Sequence, residues 1–89
     1  SMTKVDLVVT RHKALVEVLS EITGRFDLSV ATVKEHVEEK DVEGKVVVGV
    51  LPMRLAALTK RFFELSLAIP QELRGVELSK DQISQFMLG

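Results

Sequence analysis

The tetrapeptide Thr10-Arg11-His12-Lys13 sets a hydroxyl, a guanidinium, an imidazole and an ammonium on consecutive residues. A guanidinium offers a planar fork to two phosphate oxygens. An imidazole can move a proton near neutral pH. These residues follow the apolar run Val5–Val9, and the spacing after them predicts a helix. Cations at a helix start oppose the helix dipole, each at a cost of about 0.3–1 kcal/mol when exposed. The free N–H groups at the same place suit a phosphate. The segment reads either as an anion site or as a solvated basic turn.

Other residues carry similar pairs of readings. Arg54 is a second cation in the first turn of an expected helix, opened by Pro52. Arg74-Gly75 lies in an expected loop, either as a clamp over a ligand or in ion pairs with Glu72 and Glu77, which contribute little at a surface. Gly49 in Gly49-Val50-Leu51-Pro52 permits close approach of a ligand or of a packed neighbour. His36, before Glu38 and Glu39, reads as an acid or base, or as a surface histidine. Glu38, Glu39, Asp41 and Glu43 read as a solvated turn, not a metal site, because Lys40 and Lys45 interrupt them. Neither a P-loop nor Gly-x-Gly-x-x-Gly is present, so a dinucleotide site has no support.

The elements that position these residues alternate between strand and helix. Strands are expected over Val5–Thr10, Phe26–Val37, Lys45–Leu51 and Phe62–Ala68. Lys13–Ile22 is a helix with Leu15, Val16, Leu19 and Ile22 on one stripe, ended by Thr23-Gly24. Met53–Lys60 is a second helix, with Leu55, Ala56 and Leu58 inward, and Gln71–Leu78 a loop. Ser79 and Gln82 form a capping box for a last helix that buries Ile83, Phe86 and Met87. The near-continuous valines of Lys45–Leu51 indicate a central parallel strand covered on both faces. The fold expected is α/β, a small Rossmann-like parallel sheet of about four strands with flanking helices. Ligands bind beyond the carboxyl ends of such strands. That edge collects both histidines and three of the five arginines, Arg11, Arg54 and Arg74.

Composition sets bounds. The 89 residues suit a single domain over 1–89, with Ser1 an expected expression remnant. Hydrophobic residues make up 46%, which favours a dimer in so small a chain. The net charge of −1 argues against a partner such as long nucleic acid, so a polyanion must meet a local cluster. With no cysteine there is neither a disulfide framework nor a thiolate metal site. No apolar stretch approaches membrane-spanning length and no signal peptide is evident, so no membrane partner and a cytoplasmic location are expected.

Three segments carry a family resemblance: Val9-Thr10-Arg11-His12, Gly44–Pro52, and Ile69–Ser79, whose Pro-x-Glu-Leu-Arg-Gly-x-Glu-Leu-Ser block is the most specific. In this order, and over nearly the whole chain, the sequence resembles the small Csx-type CRISPR-associated proteins of type III systems. The resemblance implies a pared-down CARF-like domain that dimerises around a cyclic oligoadenylate. It further implies a ring nuclease that cuts cyclic tetra-adenylate by attack of the RNA's own 2′-hydroxyl, with no metal and no cofactor. Catalytic roles then fall to His12, Arg11 and Arg74, and ligand contacts to Thr10, Arg11, Gly49, Leu51, Pro52, Arg54, Arg74 and Gly75. The alternatives are a module that binds the messenger without cutting it and a regulatory partner of a CRISPR effector.

Overall fold

Branched residues disfavour helix and pack well on a pleated surface, so the valine-rich N-terminal run is extended. In the computed structural model, which describes residues 2–87 and of Ile22 and Thr23 the backbone alone, it contributes β1 (Thr3–Lys4) and β2 (Leu7–Val9). Ser1 and the side chain of Ile22 lie outside the described residues. β1 pairs in parallel with β3 (Phe26–Asp27), and β2 with β4 (Thr32–Lys34). β2 also pairs with β5 (Val46–Gly49), and β5 with β6 (Arg61–Glu64). The main sheet is therefore β4-β2-β5-β6, parallel throughout. The expected α/β, small Rossmann-like architecture is the one observed.

The expected strand Phe26–Val37 is in fact two short ones. Between them the Asp27 carboxylate accepts the Ser29 N–H at 3.0 Å, and the Ala31 N–H donates to Leu28 O at 3.1 Å. These local bonds displace the ladder, as Asp and Ser commonly do. The apparent alternation through Val30 and Val33 has no core behind it; both are exposed.

Parallel pairing requires crossovers, and the helices supply them. α1 (Ala14–Val18) runs on as a π turn over Leu19–Thr23 and ends at Gly24, whose φ of +58° is left-handed. α2 (Glu39–Val42) replaces the expected acidic turn. The Asp41 carboxylate accepts the Glu38 N–H at 2.7 Å in a capping box, and Val42 is fully buried. α3 (Met53–Ala56) is shorter than expected, as the Thr59 hydroxyl donates to Ala56 O at 2.7 Å. β6 likewise stops at Glu64. The next N–H, of Leu65, donates to Gly49 O, and Gly49 is the last residue of β5. Beyond that point Leu67 forms an antiparallel bridge with Met87. α4 (Lys80–Phe86) starts at the expected Ser79–Gln82 capping box.

The sheet separates two cores. Val8 and Val48 pack with Leu15, Val18, Leu19 and Ile83 beneath α1 and α4. Leu7, Val9 and Val47 pack with Val42, Leu51 and Leu55, from α2 to α3. Alternation along β2 and β5 thus serves both faces. Among the described residues no helix is long and apolar enough to cross a membrane.

Gly49 closes the β2–β5 pair. It is buried with φ +138°, and a Cβ there would overlap the Val9 carbonyl oxygen. Gly49→Ala combines a backbone penalty with a steric one and is expected to cost at least about 2 kcal/mol, read as a drop in Tm on the order of 10 °C.

The Asp41 carboxyl is held below its ordinary value, first by the Glu38 N–H and then by Lys34, whose Nζ lies 3.1 Å away. The folded state consequently binds fewer protons than the unfolded state in the acid range. The stabilisation is present above about pH 4 and is lost as pH falls through the depressed value. Melting curves across the acid range are expected to show Tm falling, with a shallower fall in Asp41→Asn.

Candidate functional site

Counted along the chain, the main sheet has the order second-first-third-fourth. The direction of winding reverses between β2 and β5, which opens a crevice beyond their carboxyl ends. A cavity of about 590 Å³ lies there, within the range of small-molecule sites. An adjoining lobe of about 350 Å³ shares Arg11, His12, Glu35, Ile69 and Arg74 with it and adds Gly75 and Glu77.

The cleft is walled by strand ends and by one loop. Beyond β2, the Thr10 N–H donates to Lys34 O at 3.0 Å and extends the ladder by one step. The Thr10 hydroxyl accepts the His12 N–H at 2.9 Å and donates to His12 O at 3.3 Å. The Leu15 N–H also donates to His12 O, at 3.0 Å. These bonds fix the turn that presents Arg11 and His12. The helix itself begins later, at Ala14 with Lys13 as its cap, so Arg11 and His12 precede the first turn and do not oppose the helix dipole from within it. Beyond β5 the wall is Val50, and beyond β6 it is Glu64 to Leu67. Arg74 arrives from the loop after the 3₁₀ turn Gln71–Leu73, and Gly75 follows it with φ +81°.

Arg11 and Arg74 are exposed, and among the described residues neither guanidinium forms an ion pair. His12 differs: its Nδ1 is buried and has no hydrogen-bond partner. As donor or as acceptor, that nitrogen is a buried polar atom left unsatisfied, which is costly.

The structure thus brings together Thr10, Arg11, His12, Arg74 and Gly75. It does not bring the other expected positions to them. Val9 fills the room left by the missing side chain of Gly49. Leu51 is buried in the second core, and Pro52 and Arg54 are exposed at the start of α3, outside the cleft lining. The reason is layering: α3 packs on the opposite face of the sheet, through Leu55. His36 is exposed outside the cleft, with Nε2 3.8 Å from Glu35 Oε1.

Two carboxylates that sequence reasoning passed over, Glu35 and Glu64, line the main cavity. Each sits at a strand end, Glu35 just after β4 and Glu64 closing β6. The rule that ligands gather at carboxyl edges would have found both, had the strands been ended at Lys34 and Glu64. The lining is therefore of mixed charge rather than uniformly positive.

Fold and cleft define a small Rossmann-like α/β protein with a two-arginine cleft at its switch point. The family described as "Putative CRISPR-associated protein (Cas_VVA1548)" matches residues 7–88, and the chain belongs to it. No curated protein and no solved structure matches the chain.

Proposed function

We propose that the protein is a ring nuclease of type III CRISPR defence that binds cyclic tetra-adenylate and cleaves it to switch off antiviral signalling. The observation that carries this reading is the convergence of Arg11, His12 and Arg74 at the switch-point cleft of a CRISPR-associated chain. RNA cleaves without metal when its 2′-hydroxyl attacks the adjacent phosphorus. A protein accelerates this by aligning that oxygen and stabilising charge on the phosphate. Arg11 and Arg74, which form no ion pair among the described residues, have guanidinia to grip phosphate oxygens. His12 lines the same cleft beside them. Two copies of the chain, a CARF-like homodimer, present two such clefts to a two-fold symmetric ring.

The test is incubation with cyclic tetra-adenylate under excess chelator, followed by chromatography. Linear products ending in a 2′,3′-cyclic phosphate are expected. Tight binding with an intact ring would make the protein a sequestering module. No binding and no rise in Tm would leave a regulatory partner of an effector. Arg11→Ala and Arg74→Ala are each expected to weaken ring binding by about 1–3 kcal/mol, roughly 5- to 150-fold. Arg54→Ala, outside the cleft, should bind as the wild type does; isothermal titration reads all three.

A further inference from the structure

We propose that Glu35 accepts the hydrogen bond, and then the proton, of the attacking 2′-hydroxyl; this rests on the reading of the cleft just given. Glu35 lines both lobes of the cleft, as do Arg11, His12 and Arg74. It is fixed there by the sheet: Lys34, the last residue of β4, accepts the Thr10 N–H, so the residue after it emerges beside Arg11. Its carboxylate is free to act. Its described contact is the 3.8 Å approach to His36, and the side chain is 57% exposed. It pairs with neither arginine of the cleft, so all three charges remain open to a ligand.

A carboxylate beside a phosphate site repels the ligand unless it receives a donor from it. A ribonucleotide offers donors on the sugar and on the base. The 2′-hydroxyl is on the carbon next to the one bearing the 3′-phosphate, whereas the adenine amine lies across the base. A carboxylate sharing both lobes with two phosphate-gripping arginines therefore meets the 2′-hydroxyl. The placement of His12 leads to the same residue. The buried Nδ1 of His12 is out of a ligand's reach, whereas the Glu35 side chain is 57% exposed. Glu35 is an acceptor in the same cleft.

In the step, the 2′-oxygen–phosphorus bond forms and the phosphorus–5′-oxygen bond breaks. The 2′ proton passes to the Glu35 carboxylate. The departing 5′ oxygen takes a proton from solvent, and Glu35 returns its own to solvent before the next turnover. No oxidation or reduction occurs.

The test measures binding and single-turnover cleavage for the wild type, Glu35→Gln and Glu35→Ala. It uses cyclic tetra-adenylate and its all-2′-deoxy counterpart. The Gln variant is expected to bind the ribose ring within about threefold of wild type and to cut it at least about 100-fold more slowly, the usual effect of losing a general base. The wild type should prefer the ribose ring over the deoxy ring by about tenfold, and Glu35→Ala should erase that preference. Tighter ring binding with undiminished cleavage in both variants would show a merely repulsive charge and overturn the assignment. So would a preference for ribose that survives in Glu35→Ala. A wild type that binds without cutting overturns the proton transfer, and one that binds neither ring overturns the reading of the cleft and Glu35 with it.

Discussion

The parallel pairing of β2 with β5, closed where Gly49 lies against the Val9 backbone, is the constraint on which the rest depends. Both strands are buried on both faces, so their alternating valines and leucines feed two cores at once. The pairing also sets where the chain reverses its winding. β4 lies on one side of β2, while β5 and β6 lie on the other. The crevice beyond the strand ends follows from that reversal. A side chain on Gly49 would push the two strands apart at the floor of the cleft. The glycine thus shapes the site by packing beneath it.

The cleft is built from strand ends and one loop. Thr10 ties the turn after β2 to the backbone of His12, and Pro70 and the 3₁₀ turn deliver Arg74 across from it. Among the described residues neither arginine forms an ion pair, even though Glu35 and Glu64 share the cavity. Unpaired charges of both signs in one cleft suit a ligand that carries phosphates and hydroxyls together. A wholly basic groove would attract any polyanion, whereas a mixed one disfavours phosphate that brings no donor for the carboxylates. This also fits a chain with a net charge of −1.

The residues that proved easiest to read were those whose structure depends on near neighbours. Ser79 with Gln82 marks a helix start because the two side chains bond each other's backbone across three residues. Gly24 marks a helix end because its left-handed φ suits a residue without Cβ. Val46–Gly49 is plainly a strand. The places that misled depend on a partner. β6 stops at Glu64 because β5 stops at Gly49, and nothing in Leu65–Ala68 itself signals this. The break between β3 and β4 rests on two local bonds, Asp27 with Ser29 and Ala31 with Leu28, within a stretch that otherwise reads as one strand. The same errors hid Glu35 and Glu64, since a residue belongs to the edge only once the edge is located.

By itself, the sequence determined the class of fold, the central strands, the caps at Gly24 and Ser79, and the presence of Arg11, His12 and Arg74 beyond the ends of strands. These follow from side-chain type and short-range spacing, which act within a few residues of chain. Only the tertiary structure decided which cations share a cleft. Arg74 joins Arg11 across more than sixty residues of sequence, while Arg54 is carried away on the opposite face by Leu55. It also decided which nitrogen of His12 is buried and that a carboxylate stands beside the arginines. Those outcomes depend on which strand lies next to which and which face each helix covers, and both are settled by packing between segments far apart in the chain.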